Sequence, residues 1–339
     1  MSDERPSEIL RRLADGYQVT QAIHVAATLG IADELGSGEK ASEELAVATG
    51  SHPDALYRLL RALASVGVLE ERPDRRFALT PVGDRLRRDA PESLAGWAAL
   101  IGLPDHWQAW GALLYSVQTG KNAYPHVHGA NVWKHCVQHP EVSAVFDRAM
   151  QDVTRLVNDS LLDAYDFGRF ATVVDVGGGN GTLLAGLLQH YQSMRGVLFD
   201  QPHVVVHADE VFRRAGVAAR AHIVAGSFFE GVPEEGDAYV LKAIIHDWED
   251  EESMTILQNC RRAIGDGDGV LVLVERELGP PNQQPGAKFS DLNMLVAPGG
   301  RERTIDEYRQ LFASAGFRLD RVTPTARGLN IIEGAPGRP

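Results

Sequence analysis

The chain has 339 residues and a hydrophobic fraction of 44%, enough to bury the cores of about two domains, which excludes a disordered tail or linker. A formal net charge of −13 sets its surface against phosphate backbones and argues against nucleic acid as the main partner. Its two cysteines, Cys136 and Cys260, stand far apart in no ligand-like spacing, so no disulfide scaffold or metal site is expected.

The start, "MSDERPSEIL", is charged and has no signal-peptide core, and no segment approaches a membrane span in length. The expectation is a soluble cytoplasmic protein that binds neither nucleic acid nor membrane. Residues 1–100 read as helices with short breaks. Ile9, Leu13, Ala22, Ile23, Ala26 and Leu29 recur near helical spacing, and Gly30 supplies a stop. A short helix, a turn at Gly50 and a second helix from about Asp54 suggest a helix-turn-helix. "VLEER" and "RFALT" joined by "PDR" suggest a small wing after it. A DNA-reading face should be basic. Arg58 and Arg61 are on the second helix, but Leu56, Leu59, Leu60 and Leu63 form its apolar stripe, and Glu43, Glu44 and Asp54 surround it. The winged-helix shape is therefore expected to serve packing.

Residues 101–165 continue as a helical connector rich in Trp and His. His126 and His128 alternate beside Pro125 and Gly129, a loop-like spacing that does not suit a metal. Trp107 and its aromatic neighbours are candidates for the wall of an aromatic substrate pocket.

From about Phe170 the pattern becomes strand-helix alternation. Strands are expected at "ATVVDVG", "RGVLFDQ", "HIVAG", "DAYVLKAII" and "GVLVLVERE", with amphipathic helices between them. Apolar strands spaced this way imply an α/β, Rossmann-like parallel sheet covered on both faces. The end, "FRLDRVTPTARGLNIIEGAP", adds an antiparallel pair at its edge. Residues 166–339 form this core, and 101–339 the larger domain.

The stretch "VVDVGGGNG" follows the first strand. A dinucleotide fingerprint fails in both registers, because its third glycine would fall on Thr182 or Leu184. Asp175 two places before glycines at 177, 179 and 181 suits a nucleoside without pyrophosphate. Asp200 closes the next strand at the usual separation for a carboxylate on ribose hydroxyls. A dehydrogenase is thereby disfavoured.

With "GSFF", "LKAIIHDWEDEE", "LVERELG" and "DLNMLVAPGGRERTIDEY" in this order, the chain resembles the class I S-adenosylmethionine-dependent O-methyltransferases, in the group of caffeate-type and bacterial antibiotic-pathway aromatic enzymes. The resemblance covers nearly the whole chain. It implies S-adenosyl-L-methionine as cofactor, cradled by Gly177–Gly181, with Asp200 on the ribose. Gly226, Ser227 and Phe228 match the segment beside adenine, and Lys242 matches a position near the sulfur. The family usually has Asp where Ser227 stands. A homodimer formed through the helical front, and a small phenolic substrate lined by Met294's position, are likewise implied.

Methyl transfer from a sulfonium needs an aligned nucleophile, and a phenol of pKa near 10 is helped by a base. His246 follows the fourth strand at the carboxyl edge, where α/β sheets bind ligands, and matches the family's catalytic His. Glu275 ends the next strand, which brings it beside His246. The resemblance assigns Glu275 and Glu302 to orienting the ring. Trp248 and Met294 are candidate substrate contacts. Asp247 reads as a turn residue, and Asp250, Glu251 and Glu252 as caps of the next helix. No metal is expected. The alternative is a relative that binds S-adenosylmethionine and catalyses hydroxylation or decarboxylation.

Overall fold

A computed structural model of the chain describes residues 5–234 and 236–337. The contacts divide it into two compact units, one of residues up to 107 with 141–156, the other of 108–140 with 157 onward.

In the first unit, helix Gly16–Leu29 ends at Gly30, whose φ of +70 is the left-handed stop expected of it. Helix Ser42–Thr49 stops the same way at Gly50, and Pro53 opens helix Pro53–Ser65. Strands β1 (Lys40–Ala41), β2 (Leu69–Arg72) and β3 (Arg76–Leu79) form a small sheet in the order β1-β3-β2. Leu56, Leu60 and Leu63 are buried with Ile31, Leu35, Leu45 and Phe77. The apolar face of the second helix is thus spent on the core, as a packing module requires. The front run breaks at Asp15. Its leading helix, Pro6–Ala14, buries no residue and leaves Leu10 and Leu13 exposed.

The second unit is built on a seven-stranded sheet. Its strands are β4 (Thr172–Val176), β5 (Arg195–Asp200), β6 (Ala221–Ala225), β7 (Ala238–Lys242), β8 (Val270–Glu275), β9 (Phe317–Pro324) and β10 (Asn330–Pro336). Their order is β6-β5-β4-β7-β8-β10-β9. The five expected parallel strands are parallel, with Asp175 opposite both Leu198 and Val240. The C-terminal pair lies at the edge and is antiparallel, as expected, with β10 antiparallel to both β8 and β9. Strand β10 inserts between β8 and β9, pairing Asn330 with Glu275 on one side and with Pro324 on the other. A tight β9–β10 hairpin permits this, since adjacent strands joined by a short turn must be antiparallel.

Both faces of the sheet are covered, which explains strands that are apolar on every residue rather than on alternate ones. Val173, Leu198, Val240, Val272 and Val274 face helices Thr182–His190 and Ala208–Arg214. Val174, Phe199, Tyr239, Leu241 and Leu273 face helices Asp250–Ile264 and Ile305–Ser314. Between β6 and β7 the described residues form no helix, and a cleft of about 600 Å³ opens there beside Phe199, Val224, Gly226 and Ser227. Helix Pro285–Val296 was not evident in the sequence, because its apolar residues follow no clear face. It packs on the helices of 108–138, where Trp110 Nε1 donates to Asn293 Oδ1 at 3.0 Å.

Candidate active site

Each parallel strand delivers a candidate residue at or just past its carboxyl end: Gly177 after β4, Asp200 on β5, Gly226 after β6, Lys242 on β7 and Glu275 on β8. The right-handed crossover rule makes this convergence a property of the fold, and the residue types make it a site.

At the β4–β5 side the backbone does the shaping. Gly177 and Gly179 have φ of +70 and +63, which residues with a Cβ rarely adopt. The Gly177 amide donates to the Phe199 carbonyl, and the Gly179 amide to Asp200 Oδ2 at 2.9 Å. A Cβ on Gly179 would meet nothing within 4 Å, so the loop opens onto free space there. Below it Asp175, 1% exposed, keeps Oδ2 without a hydrogen-bond partner. Burial raises its pKa to about 7 despite the attraction of Lys242. Burial also raises Asp200 and lowers Lys242, the latter opposed by Asp175, Glu275 and Asp247. Ser227 Oγ accepts the Phe229 amide at 3.3 Å, and Phe228 meets Trp248 edge to face.

At the β7–β8 side charged side chains do the work. His246 lies on a single 3₁₀ turn, Ile245–Asp247, and its side chain is 14% exposed. Its Nδ1 is 2.7 Å from Glu275 Oε2, close enough for the carboxylate to pair with that side of the ring. Nδ1 is 3.8 Å from Glu302 Oε1, and Nε2 is 3.4 Å from Asp247 Oδ1. Glu275 and Glu302 are buried. Ser290 Oγ donates to Glu302 Oε1 at 2.7 Å, and the Glu302 amide to Asp291. Burial opposes charge on the ring, but Glu275, Asp247 and Glu302 together overcome it and push the His246 pKa up to about 10. Burial raises Asp247 to about 7, against the pull of His246. One ligand atom each from His246, Glu275 and Glu302 lies within 4.8 Å of the others, a set that would also suit a divalent ion.

Of the candidate substrate contacts, Trp248 stacks on Trp133 with ring centres 5.9 Å apart and meets Phe229 edge to face at 4.8 Å. Met294 is buried on helix Pro285–Val296. Trp107 belongs to the first unit, where its Nε1 donates to the Ile101 carbonyl at 2.8 Å and its ring meets Tyr17. Sequence reasoning gave Asp247 no role and passed over Arg303, which is 1% exposed. Its only signal was a place beside Glu302 in "GGRERT". Asp250, expected as a cap, is the first residue of helix Asp250–Ile264 and is paired with Arg303 at 2.7 Å.

Residues 110–318 match the O-methyltransferase domain family, and residues 11–89 match the O-methyltransferase dimerisation domain. Phenazine O-methyltransferase PhzM of Lysobacter antibioticus is 44% identical over 97% of this chain and 96% of its own. The crystal structure of LaPhzM matches with a TM-score of 0.94 at 42% identity, covering 98% of this chain and all of that one. An O-methyltransferase from neocarzinostatin biosynthesis, solved with S-adenosylmethionine and 2-hydroxy-5-methyl naphthoic acid, matches at 0.82 and 32% identity, covering 99% of this chain and all of the other.

Proposed function

The chain belongs to the S-adenosylmethionine-dependent O-methyltransferase family, and from that premise we propose that it methylates a phenolic hydroxyl of a planar aromatic secondary metabolite, with His246 as general base. The observation that carries the proposal is the buried Glu275 carboxylate 2.7 Å from His246 Nδ1 at the carboxyl end of a parallel sheet. The similarity to a phenazine enzyme makes hydroxylated phenazines the first acceptor to try, and the naphthoic acid held by the neocarzinostatin relative makes naphthols the second.

The residues present fit the cofactor. Asp175 Oδ2 is a buried atom without a partner, Asp200 offers a carboxylate to two hydroxyls, and Gly179 leaves its loop open. In this reading Gly177 and Gly179 admit the cofactor's methionine and ribose, Gly226, Ser227 and Phe228 border adenine, and Lys242 stands toward the sulfur. When bound, S-adenosylmethionine supplies an electrophilic methyl group on a positively charged sulfur.

This chain's own residues then have three tasks. Trp248, Met294 and the aromatic wall orient the ring so that its oxygen lies in line with the carbon it attacks, which is the larger part of the catalysis. Glu275 and Glu302 hold His246 Nδ1, so Nε2 is the nitrogen that takes the phenolic proton. The acidic surroundings that raise the His246 pKa are the third element. A ring that is already protonated accepts nothing, so His246 must release its proton when a positive charge enters the acidic pocket. Trp107 is retained as a candidate contact of the acceptor. The first unit, matched to a dimerisation domain and bearing the exposed Leu10 and Leu13, pairs two copies.

The test is transfer of a labelled methyl group to hydroxyphenazines, naphthols, phenolic acids and quinones, run with wild type and His246→Ala. Transfer to one class, lost in the variant, supports the whole reading. Equal rates in both proteins remove His246 as base. Consumption of an acceptor without methyl transfer would put hydroxylation or decarboxylation in its place.

A further inference from the structure

The turn that carries His246 is short, and neither a ladder nor a long helix fixes it. Just before it, Ala243 takes a φ of +56, a left-handed conformation disfavoured by its Cβ. Something must hold a strained, single-turn segment in one place if the ring on it is to meet its partners. On the β8 side Glu275 Oε1 accepts the amides of Ile244 at 3.0 Å and Ile245 at 2.8 Å. The same carboxylate therefore grips the turn with one oxygen and faces the ring with the other.

The opposite grip comes from Arg303. Its Nη1 donates to the Ile245 carbonyl at 3.0 Å and its Nη2 to the Trp248 carbonyl at 2.9 Å. Nε and Nη2 also reach Asp250 Oδ1, and further bonds go to the Arg301 carbonyl and Ser253 Oγ. A buried guanidinium is costly unless its donors are satisfied. Here the carboxylate it bonds, Asp250, is itself 61% exposed, and two further bonds of the fork go to backbone carbonyls flanking His246. The approach is close. A Cβ on Gly300 would collide with the His246 carbonyl and the Trp248 amide. The Arg303 backbone is tied to the strand extension of β8 through a bridge to Glu277 and a bond from the Leu278 amide. One short segment, 300–303, thus brings Glu302 to the ring and Arg303 to the turn beneath it.

We infer that Arg303 is a positioning residue for methyl transfer: it holds the His246 turn by its carbonyls while Glu275 holds it by its amides. The inference rests on the reading of His246 as base. The groups facing the ring are Glu275 from β8, Glu302 from the 300–303 segment and Asp247 from the turn itself, with Lys242 and Arg276 the cations facing those carboxylates.

Arg303→Lys keeps the charge and loses the fork. With the clamp loosened, kcat falls about 100-fold, the scale expected of a misplacement near 1 Å. Affinity for S-adenosylhomocysteine stays at the wild-type value. In the unliganded variant the His246 ring, followed by NMR, titrates lower than in wild type, because it no longer faces its carboxylates. An unchanged kcat overturns the inference. So does a fall in kcat with the ring titration unmoved, which marks a merely structural residue. If Arg303→Lys does not fold, Asp250→Asn decides: a lower kcat with unchanged KM supports the clamp, and an unchanged kcat overturns it. Full activity in His246→Ala would remove the base reading alone, since the ring titration in Arg303→Lys reports the clamp independently of turnover.

Discussion

The second unit buries carboxylates in two places and treats them in opposite ways. Glu333 on β10, 5% exposed, accepts from Tyr165 at 2.8 Å and pairs with Arg169 at 2.7 Å and Arg321 at 3.1 Å. Burial alone would raise it, yet these partners bring its pKa below the ordinary value. Among the acidic groups at the carboxyl ends of the parallel strands, from β4 across to the His246 turn, the count is reversed. Asp175, Asp247 and Glu302 are all raised, chiefly by burial, and Asp175, Glu275 and Glu302 each keep an oxygen without a hydrogen-bond partner. A cluster that only holds the fold together closes its own charge. A cluster left short of positive charge is prepared for a cation that arrives with a ligand.

The sharpest way to break this contrast is to remove the centre of each cluster. His246→Ala should lower kcat by about 10² to 10⁴, the usual worth of a positioned base, in the methyl-transfer assay. Glu333→Gln should leave kcat within about twofold of wild type while lowering Tm. Equal losses of kcat would erase the distinction.

The two clusters should also respond to pH with opposite signs. Asp175 is raised from 3.8 to about 7, so the unfolded chain releases this proton first and the unliganded protein loses stability as pH rises through that range. The loss across that range is on the order of 4 kcal/mol. Unfolding followed by denaturant between pH 4 and 8 should show this slope, flattened in Asp175→Asn. Glu333 is lowered, so its contribution is present above 4.5 and is lost as pH falls. Removing it, as Glu333→Ala, should cost about 2 kcal/mol at pH 7, modest because Arg169 and Arg321 are 40% and 52% exposed and screened by solvent. The smallest expected effect is none. Chelator treatment should leave the transfer rate unchanged, and a loss restored by a divalent ion would reassign His246, Glu275 and Glu302 as metal ligands.

How much of this was legible in the sequence follows from the range of the interactions. The parallel strands were, because burial on both faces makes them continuous apolar runs. Gly30 and Gly50 were, because helix stops are local. Glu275 beside His246 could be placed from strand order alone. The antiparallel C-terminal pair was legible as well, but its order was not, since insertion of β10 beside β8 depends on pairing residues 55 positions apart, Glu275 with Asn330. Nor was Arg303. Its partners Ile245, Trp248 and Ser253 are 50 or more residues away, and it bonds two of them through carbonyls that every residue type carries. Side chains that act on backbone leave no pattern of residue types to read.

The pairing of β10 with β8 has a consequence for how the chain acquires its fold. Glu275 ends a strand whose outer edge is completed only by the strand farthest along the chain. As the polypeptide emerges during synthesis, β8 must wait for 55 further residues before its last ladder forms, with an apolar edge exposed meanwhile. Such non-local pairing is slow and open to aggregation. The ladder beside Glu275 is therefore completed only once the last strand of the sheet has been made.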